Sequence, residues 1–131
     1  MKVSSVKVDI APAELLDKIT ILSIKSERID DLEKRKNVQL ELDILMATRD
    51  RVLPPSDSLD DLTLKLKDVN ERLWIIEDEI RDCEAIGEFG SQFIGLARAV
   101  YRQNDERARL KREINNLLGS EIIEEKSYKP Y

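Results

Sequence analysis

From Leu59 to Cys83 the apolar residues Leu59, Leu62, Leu66, Val69, Leu73, Ile76, Ile80 and Cys83 recur at alternating steps of three and four. That rhythm holds them on one side of a helix. It predicts a helix over 58–86 with a coiled-coil-like seam of roughly four heptads. Gly87 and Gly90 bracket a turn after it, Ser91 opens a last helix over 91–118, and Gly119 terminates that helix. Upstream, neither Gly nor Pro interrupts 13–53. As one helix this stretch would run about 60 Å, too long for a compact domain. Asp30, with Glu33 three residues later, makes a capping box that breaks it. Helices over 13–29 and 31–53 are therefore predicted. Pro12 sits in the first turn of the earlier one, where a missing N–H costs nothing, and Glu14 complements its positive end. Pro54-Pro55 ends the later one, and Ser56-Asp57-Ser58 caps the helix that follows.

The two ends read differently. Residues 1–12 alternate loosely through Val3, Val6, Val8 and Ile10 and predict an extended segment. The tail 120–131, with Ile122, Ile123, Tyr128 and Tyr131, reads as extended too and is expected to lie beside the N-terminal segment. Short connections set neighbouring helices antiparallel. The predicted fold class is all-α, an antiparallel up-down helical bundle of about four helices in a single domain over 1–131. Surplus apolar surface remains. On 31–53, Val38, Leu42, Leu45 and Val52 share one side, while Leu40 and Ile44 sit nearly opposite. A helix apolar on two sides has two neighbours or a partner chain, so a homo-oligomer, most simply a two-fold dimer, is expected.

Composition narrows the function classes. The chain has 131 residues, 41% hydrophobic and 37% charged, which is too apolar for disorder. Four Gly and four Pro argue against a turn-rich sandwich or barrel. Acidic residues number 27 against 22 basic, a net charge of −5, the wrong bulk field for nucleic acid. There is no His, which removes the commonest general base and metal ligand, and one Cys, which excludes an internal disulfide or a multi-Cys zinc site. No apolar run approaches the roughly 20 residues of a membrane span. These features lead to the expectation of a soluble, cytoplasmic protein with no metal, no cofactor and no nucleic-acid or membrane partner. No Gly-rich phosphate loop occurs, and Glu77, Asp78 and Glu84 lack the acidic spacing of a magnesium-dependent nucleotide hydrolase.

One residue type contradicts its position. Placed at 100° steps, Leu96, Val100, Arg107, Leu110 and Ile114 share a face of the last helix, with Gln103 beside them and Asn104 on the flank. A buried guanidinium needs a carboxylate or an anion. The flank of 58–86 offers Asn70, Trp74, Glu77 and Arg81, and Ser26 interrupts the run Leu15, Ile19, Leu22, Ile29. Counting rise from the turns puts Ser26, Asn70-Glu71 and Arg107 at similar heights, as a polar layer. Two readings stand: Arg107 snorkels or makes one register-fixing ion pair, or it lines a pocket for a small anion with Asn104, Asn70 and Glu77. On the opposite face, Arg98, Arg102, Asp105, Arg109 and Arg112 read either as an exposed ladder or as a recognition face for an acidic partner or phosphate. The ladder would use the i,i+4 pairs Asp105–Arg109, Arg102–Glu106 and Arg109–Glu113. Trp74 reads as a core aromatic and Cys83 as an inert buried thiol.

Several segments carry a family resemblance. They are Glu14-Leu15-Leu16-Asp17-Lys18-Ile19-Thr20-Ile21-Leu22 with Lys25, Glu27-Arg28-Ile29 and Asn37-Val38; Val69-Asn70 with Leu73-Trp74, Ile76-Glu77-Asp78 and Ile80-Arg81; and, in the last third, Leu96-Ala97-Arg98-Ala99-Val100-Tyr101-Arg102, Asn104-Asp105, Arg107-Ala108, Lys111-Arg112, Ile114-Asn115 and Glu124-Glu125-Lys126-Ser127-Tyr128. Together they resemble a bacterial family catalogued only as a domain of unknown function, over essentially the whole chain. The family has no established activity, so the resemblance implies an identity and no mechanism. Its members often carry Pro near the position of Asp31, which implies a helix break there. A weaker likeness, in helical class, size and inward Arg only, is to the all-helical chorismate mutases. No catalytic residue carries over from it. Two functional expectations follow. The first is a non-enzymatic helical interaction or accessory protein. The alternative is a binder of, or enzyme for, a small anionic molecule held by Arg107 and its neighbours, with catalysis by position and charge.

Overall fold

In the computed structural model, which describes residues 1–131, four helices follow one another: α1 (Pro12–Arg28), α2 (Leu32–Val52), α3 (Asp57–Ile86) and α4 (Ser91–Leu118). Helix makes up 73% of the chain and no strand is present, so the fold is an all-α helical bundle. The predicted limits hold to within a residue, because each end is set locally. The Ser56 hydroxyl accepts from Leu59 N–H at 3.2 Å and starts α3. Gly87 and Gly119 end α3 and α4 at φ +70° and +66°, a left-handed conformation that costs other residues a Cβ clash. The break between α1 and α2 is real, but its cap lies one residue later than predicted. Asp31, not Asp30, accepts from Lys34 N–H (3.0 Å), and Glu33 pairs with Lys36 instead of closing a capping box.

Helix α1 is the centre of the molecule. It touches α2, α3 and α4, whereas α2 touches only α1. Two apolar clusters follow from this. Ala13 and Leu16 pack with Leu59, Leu66, Val69, Leu110 and Ile114 between α1, α3 and α4. On the other side of α1, Leu15, Ile19 and Leu22 meet Val38 and Leu42 of α2. Burying each such side chain contributes about 1.5–3 kcal/mol. The second apolar side of α2 stays in solvent: Leu40 is 63% and Ile44 57% exposed. Val52, which the periodicity groups with Val38, Leu42 and Leu45, is also exposed, and the next residue, Leu53, packs against both clusters in its place.

The pairs Ala13–Asn115, Glu14–Lys111 and Asp17–Arg107 run α1 against α4 in opposite senses. The short Gly87–Gly90 turn and the Arg72–Gln103 contact make α3 and α4 an antiparallel hairpin. With 30 and 28 residues against the 17 of α1, α3 and α4 run on beyond it as a two-helix arm. From Glu71 to Arg109, Cys83 is the only buried residue. The tail does not lie beside residues 1–10, which are exposed throughout. It folds back along α4 instead, because α4 offers the opposite charges: Glu124 meets Lys111, Glu125 meets Arg112, Lys126 meets Asp105, and Tyr131 stacks edge-on with Tyr101.

Candidate functional site

The polar layer of the core is built around Asp17. Ala13, Asp17, Thr20 and Ile24 follow steps of four and three, so Asp17 projects from α1 along a line of buried residues. Its carboxylate is 1% exposed. Arg107 grips it from α4 with Nε at 3.0 Å and with Nη2 on the other oxygen. From α3 the Asn70 amide donates to Asp17 Oδ1 and to Thr20 Oγ1, both at 2.9 Å. The Thr20 hydroxyl in turn donates to the Asp17 carbonyl (2.8 Å). Three helices therefore meet on one carboxylate. The hydrogen bonds to Asp17 raise the Arg107 guanidinium above its ordinary value, against an opposing effect of burial.

One turn further along α4, Lys111 donates to Glu14 and to Glu124, each at 2.8 Å. Burial is the largest single influence on its ammonium and pushes it down. The hydrogen bonds to Glu124 and Glu14 outweigh that and raise it above the ordinary value. One turn beyond, Asn115 accepts from Ala13 N–H (3.0 Å), satisfying an orphan donor at the start of α1.

The sequence-predicted residues distribute unevenly around this layer. Asn70 and Arg107 meet through Asp17, and they also line one cleft together with Trp74, Glu77 and Arg81 of the α3 flank. Glu77 pairs with Arg81 on its own helix (3.3 Å) and contacts neither Asn70 nor Arg107 by hydrogen bond. Ser26 is absent from the layer. It donates to the Ser23 carbonyl, about 13 Å along α1 from Asp17. Asn104 contributes only its carbonyl, which accepts from Lys126 (3.4 Å). Arg98 and Arg102 are exposed and form no ion pair, so the Arg102–Glu106 rung is not made. Asp105 turns to Lys126 and to the Tyr131 hydroxyl instead of Arg109. Arg109 holds Glu113 and Glu106, and that grip draws the Glu106 carboxyl below its usual range. Trp74 is half-buried at the edge of a cleft and is not a core aromatic, because α1 does not extend far enough to enclose it. Cys83 is buried with no partner.

Sequence reasoning does not single out Asp17, Thr20 or Lys111, and it reads Glu14 only as a complement to the positive end of α1. The signal for Asp17 and Thr20 is the heptad spacing of Ala13, Asp17, Thr20 and Ile24, fainter than that of Arg107 because only two of its four positions are apolar.

Two clefts share Arg107, whose side chain is 29% exposed. One, of about 480 Å³, lies between α4 and the tail and includes Asn104, Arg107, Lys111, Glu124 and Lys126. The other, of about 340 Å³, opens where α1 leaves the arm, over Ile24, Leu73, Trp74, Asp78 and Arg81. No cluster of three or more acidic or Cys side chains comes together in a way that could hold a metal ion, and no helix is long and apolar enough to cross a membrane.

The motif segments quoted above fall on this scaffold, with Asp17, Asn70 and Arg107 each inside one of them. The model of DUF6165, a family of unknown function, matches residues 6–131. The chain belongs to DUF6165. No curated protein and no solved structure matches it. The Asp17-centred layer and the open arm are therefore the features from which the function of this DUF6165 chain has to be argued.

Proposed function

We propose that the protein is a helical interaction or accessory protein that works by docking a partner along the open arm of α3 and α4. The observation that carries this reading is the half-covered state of the seam. Ile76 and Ile80 on α3 and Leu96 and Val100 on α4 are all only partly buried on the stretch that runs beyond α1. A continuous line of half-buried apolar side chains on an otherwise charged arm marks a surface for another protein. The state of the inward cations supports the same reading. Arg107 is spent on Asp17, and Lys111 on Glu14 and Glu124, so neither is free to clamp an anionic ligand. The proposal includes a cytoplasmic setting, supported by a lone buried thiol that has no disulfide partner.

The test is site-specific photo-crosslinking in the native host. A photoreactive residue replaces Ala97 on the arm or, as a control, Lys36 on α2. Adducts from Ala97 and none from Lys36 are expected. An arm that gives no adduct of any mass overturns the reading.

A further inference from the structure

We infer that the cleft over Trp74, at the root of the arm, is a pocket for the guanidinium of an arginine side chain on the docked partner. This rests on the reading of the arm as a docking surface and adds the chemistry that its partner must carry. Three observations support it.

The first is an acceptor with nothing to accept. Asn70 is 6% exposed. Its amide nitrogen makes both of its hydrogen bonds inward, to Asp17 Oδ1 and to Thr20 Oγ1. That orientation is forced. The Asp17 carboxylate can only accept, and the Thr20 hydroxyl already donates its proton to the Asp17 carbonyl. Asn70 Oδ1 therefore points away from the layer, and no group of the chain donates to it. Nor is it sealed: among side-chain oxygens shut off from solvent, Glu71 Oε2 alone lacks a partner. The Asn70 oxygen thus opens into the cleft that its side chain lines. An acceptor so enclosed is satisfied by a ligand that brings a donor.

The second is charge. Four of the residues around this cleft of about 340 Å³ are charged: Glu77, Asp78, Arg81 and Arg107. Arg107 is held by Asp17, and Glu77 by Arg81. Asp78 is exposed and forms neither an ion pair nor a hydrogen bond. With the internal pairs set aside, one carboxylate and one amide oxygen remain. Both call for a donor, and the carboxylate calls for a cation. Further along α3 the sign persists, since Glu79, Asp82 and Glu84 follow with Arg81 as the sole cation among them. Such a field draws cations toward the cleft.

The third is surface. Ile21, Ile24 and Leu73 give the cleft an apolar lining, and the half-buried Trp74 adds an indole. Asn70, Trp74 and Asp78 recur at steps of four, so along this face of α3 the indole stands between the oxygen and the carboxylate. A guanidinium suits all three. It is planar and stacks on an indole, it carries five N–H donors, and its methylene stem packs on apolar side chains. An ammonium is a compact, strongly hydrated point charge and does not stack. An anion would face Asp78.

Trp74, the sole tryptophan, is its own reporter in the test. Nα-acetylarginine amide, titrated at constant ionic strength, should change the Trp74 emission saturably, with a Kd on the order of 10 mM for a single side chain. Nα-acetylcitrulline amide has the same shape without the charge and should bind at least about 10-fold more weakly. Asp78→Lys should weaken the arginine probe at least about 10-fold, because it sets a like charge at the cleft. Asp78 is exposed and unpaired, and circular dichroism verifies that the variant remains helical. In the native host, Asp78→Lys should also cut the adducts formed from Ala97 at least about 10-fold. A Trp74 emission that does not respond saturably overturns the inference, as does equal binding of the citrulline probe or of Asp78→Lys. Ala97 adducts that Asp78→Lys leaves unchanged overturn it too, and the docking reading then stands. An arm that gives no adduct ends the docking reading and with it a partner's arginine, even where the free probe still binds.

Discussion

Arg107 of α4 holds both oxygens of Asp17 on α1, 90 residues away, and the two ends of the pair have unequal access to water. The carboxylate is sealed in the core, whereas the guanidinium opens onto two clefts. Deleting one partner is therefore unlike deleting the other. Arg107→Met strands a buried charge and should cost about 3–5 kcal/mol. Asp17→Asn leaves a cation that can swing into a cleft and should cost less, about 1–3 kcal/mol. Urea denaturation gives both values. An Asp17→Leu/Arg107→Met double variant should regain much of the loss, because the pair itself is close to neutral overall. Equal costs for the two single variants would falsify the asymmetry.

Anions provide a separate check on the paired state of Arg107 and Lys111. Phosphate, sulfate and dicarboxylates should raise the melting temperature no more than chloride does at equal ionic strength. A ligand present at 100 times its Kd would add about 2.7 kcal/mol, which a thermal melt detects easily. Stabilisation by one of these anions that vanishes in Arg107→Met would transfer the function to an anion pocket.

The tail should loosen at alkaline pH. Its hydrogen bond to Asp105, followed by burial and the charge of Asp105, raises the Tyr131 phenol above the ordinary value. Lys111, which anchors Glu124, is raised as well. In both cases the protonated form makes the contact. Their contribution is thus complete below the unfolded value near pH 10 and is lost as pH rises through the elevated folded one. The difference in absorbance at the tyrosinate band between the parent and Tyr131→Phe isolates this one phenol. In an Asp105→Asn background its titration should fall back toward about pH 10, and an unmoved titration would mean the tail is not held there.

Helix ends set by local chemistry should give modest, local losses. Gly87→Ala meets no neighbouring atom and suffers only from the left-handed backbone, about 1–2 kcal/mol. Asp31→Ala and Ser56→Ala each remove a cap and should cost about 1 kcal/mol. Changes indistinguishable from zero at all three sites would show that tertiary packing alone fixes the boundaries.

Core and outer surface should separate cleanly. Leu66→Ala, at a fully enclosed position, should cost about 2–5 kcal/mol. Leu40→Ala, on the outer side of α2, should stay within about 0.5 kcal/mol. A larger loss at Leu40 that depends on protein concentration would place a chain–chain contact on α2.

Part of the site is legible in the amino-acid pattern. The seam from Leu59 to Cys83 specifies α3, and the misplacement of Arg107 on an apolar face announces a buried pair. Its partner is not legible in the same way. Asp17 is flanked in sequence by Leu16 and Lys18, and Glu77 lies on the flank of the strongest seam, so proximity to a seam favours the wrong carboxylate. The cap moves from Asp30 to Asp31 because a one-residue shift leaves the same Asp type available and only the backbone path out of α1 chooses between them.

Most helix limits follow from the local sequence, although the choice of Asp31 over Asp30 and the Asn115 contact at the start of α1 do not. The local limits depend on interactions within a few residues: Ser56 reaching forward to a free N–H group, Gly87 and Gly119 adopting a left-handed φ, and Pro54-Pro55 refusing to continue a helix. The tertiary structure alone decided how the helices stand about one another. Periodicity states which side of a helix is apolar, but not which neighbour covers it or for how far along its length. The 17 residues of α1 leave it too short to cover α3 and α4. The packing of α1 against α3 and α4 buries Asp17 against Arg107, and the mismatch of lengths leaves the arm beyond Leu73 open.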